Sequence, residues 1–181
     1  MGKGIVDRLK KEYDIADQWV SFELHPETPP AGMLLSERFK GHDLSSFYDQ
    51  LRKRGREVDI VFGNLTVLSN SRLALIASEY ARDQGLYDPF HENMFHAYFT
   101  GCQDIGKPDV IAAVAKKSGL DKKGTLGALR DGLYLSRLNE ARKEGELIGL
   151  TGIPLFIIEN KYKIVGAQPM ETFRNLLDKI I

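Results

Sequence analysis

Residues Gly149–Gln168, GLTGIPLFIIENKYKIVGAQ, decide how this chain is read. They spell a small-residue loop, a proline, an apolar run, a polar turn and a second run. Leu155, Phe156, Ile157 and Ile158 are consecutive apolar residues, which predicts a short strand buried on both faces. Glu159-Asn160-Lys161 predicts a hairpin turn, though of a weaker kind than Asn-Gly. Tyr162, Ile164 and Val165 predict a second strand, ended by Gly166. Ile153-Pro154 stands directly ahead of the first strand. A proline lacks the N–H that a ladder needs, so it is tolerated there and not deeper in a strand.

Outward from this hairpin the chain is mostly helical. Pro169 opens a last helix with Phe173, Leu176, Leu177 and Ile180 facing inward. Upstream, Gly132–Leu147 and Asp121–Leu129 predict two helices, and Pro108 opens another that ends near Gly119. Asp88-Pro89 starts a helix that stops at Gly101, and Ser69 caps one whose stripe is Leu73, Ile76, Ala77, Tyr80 and Ala81. Asp43 caps a helix to about Lys53 with Leu44, Phe47, Tyr48 and Leu51 on one face, and Gly55 suits the position just past its end. At the start of the chain, Gly4–Tyr13 predicts an amphipathic helix with no capping residue before it. Gln18–Leu24 alternates Trp19, Ser21 and Glu23 against Val20, Phe22 and Leu24, a half-buried strand pattern. Residues 25–32 hold three prolines and predict a loop. Strands at both ends with helices between them predict one α/β domain carrying an insertion.

Composition narrows the function classes. The chain has 181 residues, 25 basic and 25 acidic, so its formal net charge is zero. That argues against a nucleic-acid binder or a polybasic membrane-surface protein. No apolar run approaches the roughly 20 residues of a membrane span. Residues 1–7 carry charges where a signal peptide needs an apolar core, so the expected location is cytoplasmic. One cysteine, Cys102, excludes an intrachain disulfide and a cysteine metal site. It follows a helix end, where the dipole disfavours a thiolate. His91 and His96 are five apart on a helix and point in different directions, so no metal site is expected.

Thr151-Gly152-Ile153-Pro154 matches the pattern of the cis-proline loop of thioredoxin-type folds. A cis X-Pro bond presents the backbone of the preceding residue to an extended substrate. An ordinary trans proline at a strand start is the plainer reading of the four residues alone. Together with Val165-Gly166-Ala167-Gln168-Pro169 they resemble the C-terminal signature of the DsbA-like oxidoreductases, and the FrnE-like branch in particular. Phe22-Glu23-Leu24-His25-Pro26-Glu27 resembles that branch's second strand and following loop, and 70–80, 90–98 and 109–120 resemble its helical insertion. The proline loop alone is also similar to kappa-class glutathione transferases and 2-hydroxychromene-2-carboxylate isomerases.

The resemblance implies a thioredoxin-like α/β fold with a large helical insertion. The thioredoxin-like part would be 1–35 and 148–181, and the insertion 36–147. It implies thiol–disulfide chemistry on a protein or peptide, with Thr151, Ile153 and Pro154 lining the groove and Phe22, His25 and Pro26 as its walls. It implies no cofactor, or glutathione under the transferase and isomerase alternative. In the family a strand leads into Cys-x-x-Cys at the head of the first helix, commonly followed by Gly-Lys. Gly2-Lys3 matches that pair, which places the second cysteine upstream of Met1. The chain is therefore expected to be N-terminally truncated, its reading frame extending upstream by a strand and a turn. As written it has no catalytic residue and is expected to be inactive in disulfide exchange. A third alternative is a non-catalytic peptide-binding module, in one form a homodimer paired through exposed sheet edges.

Overall fold

The computed structural model describes residues 1–180. Residue 181, the end of the expected thioredoxin-like part, lies outside the described residues. Helix α1 is Gly2–Leu9. A two-residue strand β1, Met33–Leu34, leads into a short helix α2, Leu35–Arg38, and then α3, Leu44–Arg56. Strand β2, Val67–Leu68, pairs antiparallel with β1. The helical block follows: α4 Arg72–Asp83, α5 Tyr87–Phe95 running into a π-helical turn at His96–Thr100, α6 Pro108–Lys117, α7 Lys122–Ala128 and α8 Gly132–Leu147. The chain closes with β3 Leu155–Ile158, β4 Tyr162–Val165 and α9 Met170–Ile180.

The hairpin forms where the sequence places it. Ile158 pairs with Tyr162 and Leu155 with Val165. The turn takes Glu159 and Asn160 through φ of 51° and 52°, both left-handed, with the Lys161 N–H donating to the Ile158 carbonyl at 3.0 Å. Two left-handed residues match the right-handed twist of the strands. Burial on both faces does not hold. Phe156, Ile158 and Ile164 pack with Ile5, Leu9, Phe173 and Leu177 of α1 and α9, whereas Ile157 and Val165 are about half exposed. Val58 and Ile60, within the stretch read as the helical insertion, pack into this same core.

The helical block has its own core of Ala77, Ala81, Phe90, Met94, Ile111 and Ala115, all buried. Asp88, read as a cap before Pro89, lies inside α5, whose N-cap position is Leu86. Asp43, Asp121 and Asp131 each accept N–H donors from the first turn of α3, α7 and α8. Ser69 is not a cap. Its Oγ is buried without a partner, while Asn70 Oδ1 accepts from the Arg72 N–H at 3.0 Å and takes the role one residue nearer the helix.

Three further readings are corrected. Gln18–Leu24 is extended but forms no ladder. Its buried residues are Ser21 and Glu23, and Val20 is exposed, because Ser21 bonds to Glu79 and Glu23 to Arg72 of α4. Gly55 does not end α3 but lies inside it, where a Cβ would stand 2.6 Å from the Ile60 carbonyl oxygen. Phe47, read as part of the apolar face of α3, is 56% exposed, because α3 lies on the surface and buries only Gly55 outright.

Candidate functional site

The Thr151–Pro154 loop meets the first turn of α1. The Ile153–Pro154 peptide bond is cis. The Pro154 carbonyl accepts the Gly166 N–H at 2.8 Å, so the end of β4 holds the loop at the start of β3. On its other side Pro154 lies on Gly2, and a Cβ at Gly2 would stand 3.0 Å from the proline Cβ. Gly4, one turn-face on, lies so close to Val58 that a Cβ would be 2.7 Å from its carbonyl oxygen. Gly2 and Gly4 are poor helix formers. They stand in α1 because two neighbours approach its backbone there. Alternating glycines at the head of an amphipathic helix were the signal for this.

Beside this contact is a cavity of about 440 Å³, lined by Met1 and Ile5 of α1, Arg54 and Glu57 of α3, and Gly166–Met170. The Arg54 guanidinium donates to the Ala167 carbonyl. Gln168 Nε2 donates to the Val165 carbonyl at 2.8 Å, and Gly166 turns the chain at φ 78°. Arg54 is a residue that motif reading missed. It lies in no recognisable pattern and reaches the Val165–Pro169 signature only because α3 ends against the loop after β4.

Of the residues singled out in sequence, Thr151, Ile153 and Pro154 come together at the mouth of this region. Thr151 is exposed and Ile153 is 51% exposed, an unusual state for an isoleucine ahead of a strand. Phe22 lies against α8, its Cε2 2.5 Å from where a Cβ of Gly145 would be. His25 Nδ1 lies 3.1 Å from Glu27 Oε1 within its own loop, and Pro26 is half buried beside it. These three belong to the segment that docks on the helical block, with Glu23 and Arg72 paired through both carboxylate oxygens.

Behind α1, His91 of α5 is enclosed by Trp19, Tyr87 and Phe95, with ring centroids at 4.9, 5.2 and 4.1 Å. Burial, reinforced by the nearby Lys3 charge, pushes its imidazolium down to about 4, so it is neutral at pH 7. Lys3 itself reaches Asp7 on its own helix and Glu92 on α5. Arg82 lies over the Tyr87 ring at 4.0 Å and donates to the Trp19 carbonyl at 2.7 Å. Desolvation raises the Tyr87 phenol to about 12. The aromatic group is thus a packed joint between α1, α5 and the extended segment.

Cys102 lies elsewhere. Its Sγ is 3.8 Å from the Thr100 carbonyl and would touch a Cβ on Gly63, and φ is 53°. Among the described residues no group of three His, Cys, Asp or Glu side chains is placed to hold a metal ion. No described helix is long and apolar enough to cross a membrane.

Comparison with known proteins agrees with this architecture. The family model for the DSBA-like thioredoxin domain matches residues 1–178. The uncharacterized protein YwbO of Bacillus subtilis (strain 168) is 26% identical over 179 residues, which is 98% of this chain and 88% of that protein. The crystal structure of the probable DsbA oxidoreductase SCO1869 of Streptomyces coelicolor superposes with a TM-score of 0.80 at 19% identity, over 87% of this chain and 72% of that one. A Nitrosomonas europaea protein described as a "putative protein disulfide isomerase" superposes at 0.69 and 12% identity, over 97% and 87% of the two chains. Matched across nearly its whole length, with the proline loop seated on its first helix, the chain belongs to the DSBA-like thioredoxin domain family.

Proposed function

We propose that this protein serves thiol–disulfide chemistry on a protein or peptide substrate, and that Thr151–Pro154 is the segment that receives the substrate backbone. Family membership supports the chemistry at the level of thiol–disulfide oxidoreductases. The observation that carries the local assignment is the apposition of Pro154 and Gly2, with Ile153 standing out beside it. An extended peptide laid along the loop would find a free backbone edge and an apolar contact at the head of a helix. A helix N-terminus stabilises a thiolate through its free N–H groups and dipole. The positioning of a substrate sulfur there is the chemistry this geometry favours. Val165-Gly166-Ala167-Gln168-Pro169 supports placement in the FrnE-like branch.

This chain holds one cysteine, and it stands by Thr100 rather than by Pro154. Dithiol exchange needs two sulfurs in reach of each other. The 181-residue chain therefore binds substrate and does not itself turn over disulfides.

Two measurements test this reading. In insulin reduction by dithiothreitol the chain is expected to add nothing to the background rate. In an NMR titration, S-alkylated insulin B chain is expected to shift the Thr151–Pro154 resonances. Ile153→Asp is expected to weaken that binding about tenfold with an unchanged circular dichroism spectrum. Catalysed insulin reduction, or a B-chain titration that leaves 151–154 unmoved, would overturn the proposal. Micromolar glutathione binding at the same resonances would move it to the transferase and isomerase class instead.

A further inference from the structure

The cavity beside the Pro154–Gly2 contact is walled by the loop after β4 and by the last turn of α3. Met1, Ile5, Val58 and Met170 give it an apolar floor. Its charged lining residues are Arg54 and Glu57. The Arg54 guanidinium donates to the Ala167 carbonyl, which holds it against the loop. A guanidinium carries five N–H donors in a planar fork, so Arg54 is fixed in place with donors left over.

The charge around this cavity is unbalanced, although that of the whole chain is not. The last turn of α3 carries Lys53, Arg54 and Arg56, all exposed. Among the described residues none of these three forms an ion pair. Arg52, one residue earlier, is held by Asp49 at 2.9 Å, and Arg8 of α1 by Asp59 at 3.7 Å. Basic residues at a helix C-terminus complement its dipole, but that end carries only about half a negative charge. Glu57 offsets one cation more. The balance beside the cavity therefore stays positive, and the head of α1, which borders the same space at Met1, adds to it.

We propose that this cavity is a subsite for an acidic side chain, Asp or Glu, two residues from the cysteine of a polypeptide substrate, and that Arg54 selects it. The assignment rests on the reading of Thr151–Pro154 as the segment that receives the substrate backbone. The cavity and that loop share Gly166, whose N–H donates to the Pro154 carbonyl, and the head of α1. In an extended chain alternate side chains share a side and stand roughly 6.6 Å apart, so the second residue along reaches the neighbouring space. The volume of about 440 Å³ holds one such side chain. An apolar side chain there would displace water from the Arg54 donors without replacing it. A lysine or arginine would bring like charge against Arg54. A carboxylate accepts two parallel N–H bonds from the guanidinium and lays its methylenes on the apolar floor.

NMR titration of the full chain with three acetylated, amidated peptides tests it. Each has S-methylcysteine at its centre and alanine elsewhere, except for Glu, Gln or Lys two places away on both sides. The Glu peptide is expected to bind about tenfold more tightly than the Lys peptide at low salt, and about twofold in ~0.5 M salt, where exposed charges are screened. It should shift the Arg54 Nε–H resonance together with 151–154. Arg54→Gln should bring the three peptides within about twofold of one another, with an unchanged circular dichroism spectrum. Glu57→Gln should widen the preference, and Lys117→Gln, on α6 in the helical block, should leave it as it is. The ratio of Glu to Lys peptide in the unmodified chain needs no substitution to be read. Equal binding of the three peptides with 151–154 shifted, or a preference that survives Arg54→Gln, would overturn the subsite alone. Peptides that leave 151–154 unmoved whatever their charge would overturn the substrate-loop reading and the subsite with it.

Discussion

Pro154 rests on Gly2: a Cβ on the glycine would stand 3.0 Å from the proline Cβ and 3.2 Å from its Cγ. The substrate-facing loop and the head of α1 are therefore held at backbone distance, with no side chain between them. Any residue larger than glycine at position 2 would move the loop relative to the helix.

Gly2→Ala and Gly4→Ala should differ in cost. Alanine gains up to about 1 kcal/mol over glycine in a helix interior. Against that, overpacking costs typically 1–3 kcal/mol. At Gly2 the obstacle is a proline ring that can shift by tenths of an ångström, so the two effects nearly offset. At Gly4 it is the Val58 backbone carbonyl at 2.7 Å, which is fixed by the chain around it. Urea unfolding should show Gly4→Ala less stable by about 2 kcal/mol, and Gly2→Ala by less than about 1. Equal stabilities would contradict the close approach of α1 to Val58.

His91 makes stability depend on pH in a defined window. Its folded value is about 4, below the ordinary 6.5, chiefly through burial. Between those values the unfolded chain takes up a proton that the folded chain refuses. Stability from this group is therefore fully present above 6.5 and is lost as pH falls toward 4, by about 3 kcal/mol in all. His91→Phe, which keeps a ring among Trp19, Tyr87 and Phe95, should flatten that loss. Urea midpoints measured at about pH 4.5 and about pH 7 for both proteins check it. Parallel slopes would assign the acid sensitivity to other groups.

The hairpin and helices were legible because their signals are local. Leu155–Ile158 and Tyr162–Val165 are flanked by proline and glycine, and Asp43, Asp121 and Asp131 cap their helices directly. What failed was set by partners far along the chain. The alternation in Gln18–Leu24 is real, but Arg72 and Glu79, some fifty residues away, made its polar side the buried one. Gly55 looked like a helix stop because the chain's return past it at Ile60 and Phe62 cannot be seen in sequence. At the site, Thr151–Pro154 and Val165–Pro169 were legible because each is one contiguous stretch, while Arg54 reaches Ala167 from α3, a separate element.

Glu79 should be the most sensitive polar residue of the joint between the extended segment and the helical block. The residue is 7% exposed, and its carboxylate accepts from Ser21 Oγ at 2.6 Å and Arg82 Nε at 3.3 Å. Arg137 lies 3.9 Å away and is also held by Asp83 at 2.7 Å. Removing one partner of a buried charged network strands the others, at roughly 3 kcal/mol. Glu79→Ala should lose about that much in chemical unfolding. Ser21→Ala should lose about 1 kcal/mol in the native background and nearly nothing in Glu79→Ala, because the bond it makes is already gone. Additive losses would show that Ser21 and Glu79 act independently.

Phe173 tests whether the hairpin depends on α9. It is 1% exposed and meets Phe156 edge to face, with centroids 4.8 Å apart and planes at 78°. Phe156 is thereby clamped between α9 and the Gly2 turn of α1, where its Cζ is 3.6 Å from a Cβ position on the glycine. Phe173→Ala removes a filled ring from a close-packed core, and such changes cost about 3–5 kcal/mol. Phe173→Leu keeps most of the volume and should cost less than about 1.5 kcal/mol. Because Phe156 follows Pro154 by two residues, freeing it should also loosen the loop. Hydrogen exchange in Phe173→Ala should quicken at Ile153 and Leu155 more than in the helical block, whose core of Phe90 and Ile111 is separate. Uniform quickening across both cores would mean that the two halves unfold as one unit.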